Sequence, residues 1–176
     1  MAGQNSRQFR ADFWDQVFPA QLPSGDVDVD IVDERGFDLE GVPLLPVEVG
    51  HTDTDATTML HVPAIGLLIA GDVVYNGVHL YLTESGGPAG IDEWLAALDE
   101  AQARRPAVVV AGHKHPQAFD NPSQIQGTRQ YLTDARELLL TSAHAREFYD
   151  GMLGRHPNRI NAGALWGAAI TLFPEG

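Results

Sequence analysis

The chain has 176 residues and a formal net charge of −13, with 24 acidic residues against 11 lysines and arginines. Because binding to nucleic acid or to an anionic membrane surface needs clustered basic side chains, this charge balance argues against both partners. The chain contains no run of about 18 apolar residues, so no membrane span is predicted. The N-terminus lacks the pattern of a secretion signal. With 44% hydrophobic residues and no cysteine, the composition predicts one cytoplasmic domain over residues 1–176, without disulfides.

The spacing of apolar residues predicts an α/β fold. Phe9 to Phe18 has helical spacing and stops at Pro19, whereas apolar residues alternate with aspartates over residues 27–31, as in a half-buried strand. Further along the chain the pattern predicts strands at 44–49, 57–62 and 65–70, a helix from Ile91 to Arg105, a strand at 107–111, and helices beginning near Asn121, Ser142 and Asn161.

Three of the predicted strands lead into a side chain that can bind metal. His51 follows the strand at 44–49, Asp72 follows the strand at 65–70, and His113 follows the strand at 107–111. Imidazole and carboxylate together favour zinc, or iron and manganese where carboxylates dominate. Strand ends are places where rigid scaffolds hold functional groups, so these three residues are the candidate metal ligands.

The segments Gly50–Asp55, Ala70–Tyr75 and Ala111–His113 resemble the third, fourth and fifth motifs of the metallo-β-lactamase superfamily, in that order. This resemblance, which covers Phe37 to the C-terminus, implies an αβ/βα sandwich with a metal site at one edge of its sheets. It also implies that His51 binds a first metal, that His113 binds a second, and that Asp72 bridges them as the catalytic carboxylate. The implied reaction is metal-dependent hydrolysis of an ester, thioester, lactam or phosphate bond.

The leading His-x-His-x-Asp-His motif of the superfamily is absent, since no histidine precedes His51. The predicted fold is therefore an N-terminally truncated sandwich that keeps about half of a metal site. A native truncation, a split gene product and an expressed fragment all remain open as its origin.

A half site of this kind needs further donors, because zinc sites usually have three or four protein ligands. Asp53, Asp55, His79 and His115 are candidate substitutes, although the two aspartates could cap a turn and the two histidines could be ordinary hydrogen-bonded loop residues. Another chain could also supply the donors. The expected metal is zinc, with iron, manganese and no metal at all as alternatives.

Three functional hypotheses follow from this incomplete site. The first is a metal-dependent hydrolase of a small-molecule substrate, completed by substitution or by another chain. The second is a non-catalytic binding or scaffold descendant, and the third is the C-terminal part of a longer metallo-hydrolase. Because a missing layer would leave an apolar sheet face and strand edge open, we also expect a homo-oligomer, most simply a dimer.

Overall fold

The computed structural model describes residues 10–22 and 32–174. The chain divides into two compact units, Met1–Ile31 and Val32–Gly176, and each is described by itself. In the first unit, a π-helical turn over Arg10–Trp14 continues into the short helix α1 (Asp15–Val17). The helix predicted over Phe9–Phe18 is thus present in its described part.

The strand predicted at 27–31 lies outside the described residues. In the first unit, the ring of Trp14 stacks on that of Phe18, with centroids 6.1 Å apart. This contact joins residues four apart, which share one face of a helix.

The second unit is built on a five-stranded sheet in the order β1-β2-β3-β4-β5. The first four strands pair antiparallel with their neighbours, whereas β5 pairs parallel with β4. A parallel pair needs a crossover connection. Helix α2 (Gly87–Ala103) provides it, which gives the predicted strand–helix–strand order. The strands are β1 (Phe37–Leu39), β2 (Val42–Gly50), β3 (Thr57–Val62), β4 (Leu67–Asn76) and β5 (Val108–Lys114).

The helices of the second unit cover the sheet and one another. Helices α2 and α3 both contact β4, α3 contacts α4, and α4 contacts α5. Trp94 of α2 and Tyr131 of α3 are fully buried in the core between the layers. The helices are α2 (Gly87–Ala103), α3 (Ser123–Thr141), α4 (Ala145–Arg155) and α5 (Ala162–Leu172).

Two predicted strands are longer than expected, and this changes the setting of the candidate ligands. Strand β4 runs to Asn76 and β5 runs to Lys114, because the two strands stay paired through Tyr75 and His113. Asp72 and His113 therefore lie inside strands, and the expectation that they follow strand ends was wrong. His51 does follow β2, as predicted.

Helix starts were predicted with mixed success. Asn121 accepts a hydrogen bond from the backbone N–H of Ser123 at 2.8 Å, which agrees with a helix beginning there. The cap of α4 is His144, whose side chain accepts from the N–H of Glu147, and not Ser142. Asn161 precedes α5 without a side-chain capping bond.

One face of the sheet carries an open apolar groove. Side chains alternate between the two faces of a strand, so the buried residues Leu68 and Ala70 of β4 point to the helices, while Ile69 between them and its cross-strand partner Leu60 point away. The groove has a volume of about 250 Å³ and is lined by Val32, Phe37, Pro46, Thr58, Met59, Leu60, Ile69 and Gly71. In the described part of the chain, no helix is both long and apolar enough to cross a membrane.

Candidate metal centre

Asp72 and His113 meet where β4 and β5 run side by side. The Nε2 atom of His113 lies 3.3 Å from Oδ1 of Asp72, and the two side chains are 57% and 45% exposed. The residue of β5 that allows this approach is Gly112. A Cβ there would collide with Oδ1 of Asp72 and lie 2.8 Å from the carbonyl carbon of Gly71. The pair is thus close, open to solvent and dependent on a glycine.

His51 is held in a separate arrangement at the end of β2. Its Nδ1 lies 2.7 Å from Oδ1 of Asp55, and its Nε2 is buried without a hydrogen-bond partner of good geometry. A Cβ at Gly90 would lie 2.9 Å from that Nε2, so the ring faces the start of α2. Burial works against the charged ring, but Asp55 and the carbonyl of Ser85 together raise the pKa of His51. The structure therefore presents His51 as a link between two loops.

Asp53 is a buried carboxylate next to the pair. It is only 5% exposed, and it accepts hydrogen bonds from the hydroxyls of Thr52 and Tyr75, each at 3.1 Å. Burial first, and then the negative charge of Asp72, raise the pKa of Asp53. Both of its oxygens already have partners, which supports a structural role for this carboxylate.

Tyr75 connects Asp53 to His113 and is a site residue that the sequence motifs did not reveal. Its ring lies over that of His113, with centroids 5.1 Å apart and planes inclined by 25°. Burial, followed by the charges of Asp53 and Asp72, strongly raises the pKa of the Tyr75 phenol, which keeps it protonated as a donor. Sequence periodicity gives no signal for it, because its position opposite His113 depends on the register between two strands.

The remaining candidate ligands make their contacts elsewhere. His79 is fully buried, and its Nδ1 lies 3.1 Å from the hydroxyl of Tyr131. His115 accepts a hydrogen bond at Nδ1 from the backbone N–H of Gln117. Asp55 is bound to His51 and its side chain is 93% exposed.

These placements leave two donors in contact. Among residues 10–22 and 32–174, no group of three or more histidines and carboxylates is arranged to hold a metal ion. Since zinc needs three or four protein ligands, the described residues do not form a complete metal site by themselves. What they form is the pair of Asp72 and His113, exposed on one side and supported by Tyr75 on the other.

Comparison with known proteins identifies the family. Residues 4–113 match the family model of the metallo-beta-lactamase superfamily. The chain belongs to the metallo-β-lactamase superfamily. The resemblance found in the motifs is thereby confirmed, and the matched region begins well before Phe37, where we expected the similarity to start.

Solved structures of this superfamily share the fold. A beta-lactamase domain protein from Burkholderia ambifaria is 18% identical, with a TM-score of 0.60 over 94% of this chain and 49% of its own. A metallo-beta-lactamase family protein from Thermus thermophilus is 16% identical, with a TM-score of 0.56 over 94% of this chain and 58% of its own. At such low identity the likeness establishes the α/β fold of the superfamily and nothing finer.

A third match covers less of the chain. A metallo-beta-lactamase from Pseudomonas aeruginosa, solved in its mono-zinc form, is 19% identical, with a TM-score of 0.46 over 60% of this chain and 46% of its own. No curated protein matches the chain, and the chain spans about half the length of the solved structures it matches.

Proposed function

We propose that this chain provides one half of a metal-dependent hydrolase centre, with Asp72 and His113 as its donors. The observation that carries the proposal is the 3.3 Å approach of His113 Nε2 to Asp72 Oδ1 on exposed side chains. A carboxylate and an imidazole that converge in this way are a suitable partial ligand set for zinc. The missing donors come from another chain, most simply from a second copy of this one.

The reaction class follows from the family. Hydrolysis of an ester, thioester, lactam or phosphate bond in a small molecule is the activity we assign to the completed centre. The fold does not select among these substrates, because specificity depends on the site that is assembled.

The decisive experiment measures metal in the chain purified without chelators, using inductively coupled plasma mass spectrometry. We expect near-stoichiometric zinc, iron or manganese per assembled site in the wild type, and a loss of at least about tenfold in metal affinity in Asp72→Asn and His113→Gln. His115→Gln is the matched control, since it removes a nearby imidazole that binds Gln117 and should leave the metal content unchanged.

Hydrolysis of chromogenic substrates of the four bond types should follow the metal content and disappear when a chelator is added. A folded wild-type chain that takes up no metal, even when zinc is supplied, would refute the proposal.

A non-catalytic binding module is the second candidate, and one observation favours it. The Nδ1 atom of His51 contacts Asp55, and its Nε2 atom faces the start of α2. The ring therefore connects the loop after β2 to this helix. In that case His51→Gln should lower the melting temperature, while the chain shows neither metal nor turnover. In a hydrolase centre that uses His51, the same variant would lose metal as well.

A further inference from the structure

We propose that Tyr75 is a positioning residue for His113. The two residues face each other across the parallel pair of β4 and β5, and their rings lie nearly parallel with centroids 5.1 Å apart. The His113 side chain is 57% exposed, whereas Tyr75 is only 2% exposed. A solvent-exposed imidazole therefore rests on a buried aromatic ring.

Tyr75 is suited to this role because its own position is fixed from several directions. Its backbone N–H donates to the Thr128 hydroxyl, which in turn donates to the Tyr75 carbonyl, both at 3.1 Å. The ring of Trp94 packs edge-on at 5.9 Å, and Trp94 is itself anchored by a hydrogen bond to the carbonyl of Val73. The phenol donates to Asp53. Strand β4 and helices α2 and α3 all contribute to holding this one ring.

The consequence for His113 is a restricted choice of side-chain conformations. An exposed histidine loses conformational entropy when it binds a metal or a partner, and a supporting ring removes part of that cost beforehand. The stacked geometry also leaves the Nε2 edge free, since that atom is the one directed at Asp72. The stacking is a property of the chain itself, while its importance for metal binding rests on the proposed function.

Proton NMR of the full chain tests the stacking directly, with histidine rings labelled with ¹³C and the His113 signals assigned from a His113→Gln variant. Protons above an aromatic face resonate upfield, so the His113 ring protons should lie upfield of those of His115, which binds Gln117 instead. Tyr75→Leu removes the ring and should move the His113 signals downfield to the His115 range. Tyr75→Phe keeps the ring and should retain the upfield position.

Unchanged His113 signals in Tyr75→Leu would overturn the proposal. If that variant does not fold, the wild type still decides the matter, because a nuclear Overhauser effect between the Tyr75 and His113 ring protons is required by the stacking and its absence refutes it.

Calorimetric titration with Zn²⁺ measures the functional consequence. Removing a group that orients a metal ligand typically costs about 10- to 100-fold in metal affinity, so we expect that loss in Tyr75→Leu and a rescue to within a few-fold in Tyr75→Phe. Equal zinc affinity in the wild type and Tyr75→Leu would refute a positioning role. A wild type that binds no zinc would refute the proposed function, and the NMR result would then decide the inference by itself.

Discussion

The buried imidazole of His79 makes the stability of the protein sensitive to mild acid. Burial, and then the positive charge of Arg159, lower the pKa of His79 to about 4, from 6.5 for an ordinary histidine. A folded-state pKa below the unfolded value means that the unfolded chain binds more protons between pH 6.5 and 4, so stability is full above this range and falls as the pH decreases through it. Each pKa unit corresponds to about 1.4 kcal/mol, so we expect the free energy of unfolding to fall by about 3 kcal/mol as the pH decreases through this range.

The measurement is urea unfolding at pH 7.5 and pH 4.5. His79→Gln should reduce the difference in the free energy of unfolding between these two pH values by most of that amount. The groups facing His79 are Tyr131 on α3 and the residues His156 and Arg159 after α4. An unaltered pH difference in His79→Gln would show that the ring is not buried as a neutral group.

The site residues that the sequence revealed are those whose chemistry is visible in a motif. Asp72 and His113 could be predicted because a glycine and an apolar run precede each of them. The partner of each side chain could not be predicted, because the contacts of His51 with Asp55 and with the start of α2 depend on how the loop after β2 folds. The role of Tyr75 was hidden for a related reason. It depends on the register between two strands, and sequence periodicity does not fix the register of a parallel pair separated by a helix.

At the level of secondary structure, β4 and β5 lie so close together at Gly112 that this position has no room for a larger side chain. A Cβ at this position would collide with Oδ1 of Asp72 and lie 2.8 Å from the carbonyl carbon of Gly71. The Gly71 backbone cannot move away easily, because it belongs to a hydrogen-bonded strand. We expect Gly112→Ala to lower the free energy of unfolding by about 1–3 kcal/mol, as overpacking does. The substitution should also displace Asp72 from His113.

Gly167 in α5 provides the control for the same substitution. It has open space around its Cα and lies in a helix interior, where alanine is favoured over glycine by up to about 1 kcal/mol. Gly167→Ala should therefore stabilise the protein slightly in the urea experiment in which Gly112→Ala destabilises it. Equal effects of the two substitutions would show that the two strands are further apart than described.

The predicted strands and helices agree best with the structure where apolar periodicity is strong. The strand at 57–62 coincides with β3, and the helix from Ile91 coincides with most of α2. The end of β4 was missed because Gly71 and Asp72 break the apolar run and give the appearance of a strand end. Tertiary pairing with β5 carries the strand through them to Asn76, since backbone hydrogen bonds outweigh local preferences where a parallel neighbour is present.

For the whole molecule, charge limits where two copies could meet. With a net charge of −13, most surfaces of two copies repel each other. The groove on the open face of the sheet is an exception, since none of the residues lining it is charged, and Phe37 and Ile69 within it are 46% and 39% exposed. Exposed apolar patches of this kind mark association surfaces. Gly71 belongs to the lining and immediately precedes Asp72, so a second copy seated there would lie beside the incomplete metal site.

We therefore predict a dimer formed through the open sheet face. Light scattering between about 1 and 100 µM should give a mass of twice the 19.1 kDa chain, because specific interfaces of standard size hold at these concentrations. Ile69→Glu should yield a monomer, since it would place a carboxylate in the apolar contact. Ile170→Glu makes the same change at a residue of α5 that is 50% exposed, and it should remain dimeric. A wild type that is monomeric throughout this range would contradict the prediction, and the groove would then be a surface for a different polypeptide. Metal content should follow the same pattern, with Ile69→Glu losing metal and Ile170→Glu retaining it, because separate copies present only Asp72 and His113 while zinc needs three or four ligands.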